Sequence, residues 1–244
     1  MKDFWVLDRA LVDSGASTQL SSLDTVLGLS GERVTASPIS ELIYLKIDGV
    51  GYYVKRYFQR GKALRRWLGR SRVRAEWENL LFFKRSGLTI PPLVAYGASG
   101  QKGAIVTREV PGAVDLQTLA QQQPELLRNR YWLDCVVGQV ACAARRLHEQ
   151  GFAHNDFKWR NILVTTGEEP EVFFIDCPTG EHWWGPLLAY RKIKDLACLD
   201  KVAKHELSRT QRLRFYLSYV GSPSLSDRDK KQIRRTLAFF EGRE

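Results

Sequence analysis

The sequence predicts an α+β chain in two lobes: an antiparallel sheet with one key helix, then a mainly helical lobe with a small hairpin at the seam. Three observations predict it. Short runs of β-branched and aromatic residues crowd the first 110 residues. Apolar residues at helical spacing dominate the remainder. Pro111-Gly112 breaks the chain between the two patterns.

Residues 1–30 are mixed, with a Ser/Thr-rich patch, and read as an N-terminal extension of loose turns and short helices packing on the lobes. The sheet lobe follows over 31–110. ERVTAS, ELIYLKI and GYYVKRYF are three strands, and Asp48-Gly49 between the last two is a strong hairpin signal. Residues 60–86 turn helical. Trp77, Leu80, Leu81 and Lys84 keep a helical period, and Gly87 stands where a C-cap belongs. LTIPPLVAYG and GAIVTREV add two strands. In the helical lobe, 111–244, a long apolar-striped helix covers 128–149 and ends near Gly151. ILVT and VFFI flank a turn with Gly167 and Pro170. Three helices close the chain near 189–204, 208–220 and 226–241. The last, DRDKKQIRRTLAFFEGRE, is amphipathic and docks on its Leu and Phe face.

Charge and composition narrow the function. A net charge of +10 calls for an anionic partner: nucleic acid, a phosphorylated small molecule or an anionic membrane surface. Asp3, Asp8 and Asp13 interrupt the apolar core that a signal peptide needs, and no run is long enough to span a membrane. The expected location is the cytoplasm, with peripheral contact to the inner membrane face. Cys135, Cys142, Cys177 and Cys198 form no CxxC pair, so free thiols are expected and zinc is not. Cys135 and Cys142, seven apart on the long helix, are expected to share a buried face.

The chemistry concentrates in HNDFKWRNILV, residues 154–164, and VFFIDCP, residues 172–178. The frame is H-x-D-x-K-x-x-N. In phosphoryl transfer a loop aspartate accepts the proton of the attacking hydroxyl. An asparagine five residues on holds a magnesium ion, and an aspartate after a short strand binds the metal bridging the phosphates. Asp156, Asn161 and Asp176 fit these roles, and Lys158 is placed to neutralise the migrating phosphoryl group. Donor phosphates also need a cation from the sheet lobe. YYVKRYF offers Lys55 or Arg56, and RAEWENLL offers Glu76 or Glu78 to position it. Alternation sets Lys55 and Tyr53 on one strand face and Arg56 and Val54 on the other.

From GYYVKRYFQRG through RAEWENL, LHEQGFAHND, IDCPTGE and RKIKDLACL, about Gly49 to Val220, the chain resembles the protein-kinase-like superfamily. It is most similar to its lipopolysaccharide core kinases, which phosphorylate heptose or Kdo sugars. The resemblance implies an ATP- and Mg2+-dependent phosphotransferase. It favours Glu76 over Glu78 as the partner of Lys55 on the donor phosphates. It gives Asp156 as base, Asn161 and Asp176 on magnesium, and Asp195 as the helix aspartate bracing the catalytic loop. His154 is expected to brace that loop by hydrogen bonds, and His148 to cap the long helix.

Departures from the wider superfamily narrow the acceptor. No GxGxxG precedes Lys55, so ASPIS, residues 36–40, has to cover the phosphates. DCP replaces DFG, Asn155 replaces the arginine of HRD, and no APE follows. Eighteen residues separate Asp176 from Asp195, too few to dock a peptide. A glycan or small acceptor without activation by loop phosphorylation is expected, with adenine on the backbone of Arg108, Glu109 and Val110. The alternatives are a kinase of protein or another small molecule, an aminoglycoside-type phosphotransferase among them, and a non-catalytic pseudokinase scaffold. Nine basic residues and no acid lie from Lys55 to Arg74, a segment suited, with Trp67, to core sugar phosphates or acidic lipid headgroups. No nucleic-acid module accompanies it, so no nucleic acid is expected. Trp183 and Trp184 are placed to stack on an acceptor sugar or to pack their own segment. Oligomeric state has no signature in the sequence.

Overall fold

The computed structural model describes residues 3–58, 71–100 and 102–242. The basic segment between the third predicted strand and the glutamate helix, with Trp67, lies largely outside the described residues. The chain divides into two compact units. The first is Met1–Phe82 with Ile90–Val110; the second is Phe83–Thr89 with Pro111–Glu244.

In the first unit the elements run β1 (Phe4–Leu7), α1 (Ser14–Gln19), α2 (Leu23–Gly28), β2 (Glu32–Ala36), β3 (Ser40–Ile47) and β4 (Val50–Phe58). Then come α3 (Arg72–Arg85), whose last residues belong to the second unit, β5 (Leu93–Ser99) and β6 (Lys102–Arg108). The strands form one antiparallel sheet in the order β1-β5-β6-β4-β3-β2. Asp48 and Gly49 both have positive φ, 49° and 81°, as a two-residue type I′ hairpin requires. That turn pairs Lys46 with Gly51 and carries the register to Leu42 opposite Lys55. Tyr52, Val54 and Arg56 on one face of β4 are buried, with Ile43 and Ile47 of β3. Ala16, Leu20, Leu23 and Val26 from α1 and α2 complete that core. The short helices expected in residues 1–30 are α1 and α2; the strand β1 was not expected. The Trp5 indole donates to the Leu20 carbonyl at 2.8 Å, and β1 pairs with β5 at the sheet edge. The sequence reading missed β1 because four residues with no flanking turn signal carry little period.

The second unit contains β7 (Ala113–Asp115), α4 (Leu116–Gln122), α5 (Pro124–Arg128), α6 (Arg130–Glu149) and β8 (Phe152–Ala153). It continues with β9 (Ile162–Thr165), β10 (Val172–Phe174), β11 (Glu181–His182), α7 (Gly185–Glu206), α8 (Arg209–Val220) and α9 (Asp227–Leu237). Asn129 caps α6 by accepting from the Trp132 amide at 3.2 Å. Trp132, Val136, Val140, Ala144 and Leu147 form its buried stripe. Cys135 and Cys142 flank that stripe half-buried and do not share a buried face. Capping boxes open α8, at Ser208 and Gln211, and α9, at Ser226 and Asp229. Gly221 ends α8 in the left-handed region. The predicted hairpin is present as β9 and β10, joined by the unforeseen β7. β8 pairs with β11, so Ala153 lies opposite Glu181 just before the 154–161 loop.

Candidate active site

In the first unit the period-2 alternation of β4 sends Lys55 to the face opposite Arg56. Lys55 Nζ is 3.0 Å from both carboxylate oxygens of Glu76. Glu76 is 3% exposed and also accepts a hydrogen bond from the Tyr57 hydroxyl. The Lys55 ammonium lies 5.4 Å from the Tyr57 ring centroid. Glu78 instead pairs with Arg74 at 2.7 Å near the surface, one helical turn apart. Arg56 is spent on the fold: it donates to the carbonyls of Val26 and Leu29, and burial lowers its pKa. Both choices left open by the residues alone therefore resolve to one pair. Tyr57 was missed; its place two residues from Lys55 on the same strand was the available signal.

The backbone of 108–110 is partly committed. The Arg108 amide donates to Pro92 at 2.9 Å and the Glu109 amide to Gly51 at 2.9 Å. The Val110 amide has no partner among the described residues. The Glu109 carboxylate accepts from the Tyr44 hydroxyl at 2.9 Å. The 36–40 turn closes on itself, with the Ser37 amide donating to the Ser40 carbonyl at 2.8 Å.

In the second unit Asp195 on α7 organises the loop. It is fully buried, and its carboxylate accepts from the backbone amides of His154 at 2.7 Å and Asn155 at 2.8 Å. Such a carboxylate fixes two consecutive residues without a side-chain bond from either. His148 lies 3.3 Å from the same carboxylate and 2.8 Å from the Tyr219 hydroxyl. It is thus a buried link between helices and not a helix cap. His154 also departs from expectation. Neither ring nitrogen has a hydrogen-bond partner, and the ring stacks on Phe157 at 4.9 Å. Its bracing is packing plus its main-chain amide, and burial lowers its pKa against the pull of Asp195, Asp156 and Asp176.

Asp156 is 31% exposed at its side chain. Lys158 Nζ is 2.6 Å from its carboxylate. Asn161 Nδ2 donates to the Asp156 carbonyl at 2.8 Å and to its carboxylate at 3.4 Å, which leaves Oδ1 as the amide's acceptor. The Ile175 amide donates to the Asn161 carbonyl at 3.1 Å, so Asp176 begins directly beside Asn161. Asn155 and Asp176 have positive φ, 65° and 56°, conformations that side chains other than glycine adopt reluctantly. Together with the hairpin Asp48 they are the described non-glycine residues in that region. Arg191, one turn before Asp195 on α7, donates to Asn155 Oδ1 at 3.2 Å. The sequence reading missed it, although its i,i+4 spacing from Asp195 puts both on one helix face.

An antiparallel six-stranded sheet with a lysine–glutamate pair, followed by a helical unit with this loop, defines a protein-kinase-like fold. A solved structure described as "WaaP in complex with acyl carrier protein" shares it: TM-score 0.70, 24% identity, 98% of this chain and 97% of that chain covered. The Lipopolysaccharide kinase (Kdo/WaaP) family matches residues 19–233, and the chain belongs to that family; it is a kinase. No curated protein sequence matches.

Proposed function

We propose that this chain transfers the γ-phosphoryl group of ATP to a sugar hydroxyl, of heptose or Kdo, on the lipopolysaccharide inner core. The observation that carries the reading is the loop itself: Asp156 held by Asn161, on a backbone fixed through Asp195, with Ile175, the residue before Asp176, bonded to Asn161. Asp156 accepts the acceptor proton as the hydroxyl oxygen bonds to the γ-phosphorus and the bond to the ADP oxygen breaks. Lys158 offsets charge on the transferring group. Lys55, oriented by Glu76, binds the donor phosphates, and the 108–110 backbone receives adenine through the Val110 amide and neighbouring carbonyls.

Asn161 Oδ1 and the Asp176 carboxylate are suited to magnesium. Among the described residues no cluster of three or more His, Cys, Asp or Glu is placed to hold a metal ion. An amide oxygen and a carboxylate are the hard oxygen donors that would hold magnesium alongside a nucleotide. When bound, magnesium would supply positive charge against the donor phosphates.

The acceptor is lipid-linked in this reading, so catalysis belongs at the cytoplasmic membrane face. Among the described residues no helix is long and apolar enough to cross a membrane. Trp184, Leu187 and Tyr190 at the start of α7 are exposed apolar groups suited to peripheral contact. Acyl carrier protein is a second proposed partner, after the solved WaaP complex. A cavity of about 490 Å³ in the second unit supports it, walled by Leu127, Val136, Leu199, Leu213 and Leu237 and large enough for an acyl chain.

The test is mass spectrometry of purified core oligosaccharide after incubation with ATP and magnesium. The expected product gains one phosphate, and Asp156→Ala gives none. Absence of product with every core oligosaccharide, alongside phosphorylation of a peptide or aminoglycoside, would replace the acceptor.

A further inference from the structure

Regulated protein kinases carry an arginine directly before the catalytic aspartate, and it pairs with a phosphate added to the activation loop. Asn155 stands at that position. Its amide nitrogen donates to the Thr179 carbonyl at 2.8 Å, and its amide oxygen accepts from Arg191 at 3.2 Å. Its backbone N–H goes to Asp195. One side chain therefore ties the Asp156 loop to two other segments. Thr179 lies three residues beyond Asp176, and Arg191 lies four before Asp195.

The far end of this contact is also fixed. The Arg191 guanidinium lies 4.5 Å from the Trp183 ring centroid and 5.9 Å from that of Tyr190. The Trp183 amide in turn donates to the Gly151 carbonyl at 2.7 Å. A planar cation stacked on indole loses little freedom on forming one more hydrogen bond. Asn155 suits its place because asparagine tolerates the left-handed backbone, here at φ 65°, better than most side chains.

We propose that Asn155 and Arg191 form a permanent latch, which holds the Asp156 loop in register with the Asp176 segment and replaces the loop phosphate of regulated kinases. Both are positioning residues: neither reaches the reacting atoms, and both act through Asp156 and Asp176. The inference rests on the phosphotransferase reading for its catalytic consequence, though not for its structural one. Asp195 keeps its bonds to both loop amides when the latch is cut, so the fold should persist.

The experiment compares Asn155→Gly, Arg191→Ala, Arg191→Lys and the double variant Asn155→Gly/Arg191→Ala. Glycine keeps the left-handed backbone and removes both side-chain bonds. Hydrogen exchange followed by mass spectrometry should show faster exchange at 154–157 in each single variant: about tenfold in Arg191→Ala, the size expected for one hydrogen bond, and more in Asn155→Gly, which loses two and also frees 177–180. The double variant should be no faster than Asn155→Gly, because that substitution already removes the bond that Arg191→Ala cuts. Kinetics should show kcat down about tenfold and the nucleotide KM within about twofold, the pattern for lost transition-state alignment. Arg191→Lys should recover part of kcat. Unchanged exchange in both segments, or single effects that multiply in the double variant, would overturn the latch. A chain with coupled exchange but no Asp156-dependent turnover would overturn the phosphotransferase reading and leave the latch standing.

Discussion

Lys55 and Glu76 meet as a finished ion pair, with a tyrosine hydroxyl on the buried carboxylate and an aromatic ring beside the ammonium. The Asp156 loop is built differently. Its carboxylate is a third exposed, and its geometry comes from backbone bonds to a buried aspartate and from Asn155 at positive φ. The first region stores order in charge and the second in backbone shape. A charge pair tolerates small displacement, because attraction falls off slowly with distance. The base proposed for Asp156 does not, because hydrogen bonding to a reacting hydroxyl needs both distance and direction. The rigid scaffold thus sits under the group that must be aimed.

The largest effect should come from the second region. Asp156→Ala and Asp176→Ala should each lower kcat by at least about 10²- to 10⁴-fold, with unchanged circular dichroism and melting temperature. Retention of turnover in purified Asp176→Ala would remove that residue from the phosphate-binding set. In the first region Lys55→Met should cost about 10²- to 10³-fold in kcat/KM for nucleotide. It should also lower stability by roughly 2 kcal/mol, less than the 3–5 expected for a fully buried pair, since the lysine reaches solvent. Equal losses in the two regions would erase the distinction drawn between them.

Arg56 sharpens the same contrast from inside β4. It is the neighbour of Lys55, equally charged and more deeply buried, yet it serves two backbone carbonyls of α2 and the residue that follows it. Arg56→Ala should cost about 2–3 kcal/mol in urea unfolding, because those carbonyls lose a charged donor. Turnover per folded molecule should stay within about twofold. A tenfold fall in kcat without loss of stability would mean that the wrong basic residue has been assigned to the fold.

Much of this was legible in the sequence, for reasons that differ by residue. The β3–β4 hairpin was, because Asp-Gly between alternating apolar strands admits few conformations. The grouping of Asp156, Asn161 and the start of the Asp176 segment was, because spacing within one loop and one strand survives folding unchanged. Glu76 against Glu78 was not decided by period, since both lie in one helical stretch; resemblance to a family favoured Glu76, and the structure puts it against Lys55. The partners of His148 and Arg191 were illegible for another reason. Tyr219 lies 71 residues from His148, and Asn155 lies 36 from Arg191, so their pairings depend on how helices pack rather than on local pattern.

His154 yields the smallest expected effect and the most direct probe of how the loop is held. Its ring is 1% exposed and makes no hydrogen bond, and burial lowers its pKa although three carboxylates oppose that. The folded chain therefore keeps this imidazole neutral below its ordinary pKa, while the unfolded chain protonates near about 6.5. The contribution is fully present above that value and is lost as pH falls toward the folded pKa, because the unfolded state then binds the extra proton. His154→Phe keeps the stack on Phe157 and removes the titration. The stability of the native chain relative to the variant should fall as pH drops below about 6.5, by at most about 1.4 kcal/mol per pH unit. Parallel stability curves for the two proteins would mean that the loop shelters a charged imidazole, and that charge rather than backbone shape helps to hold this region too.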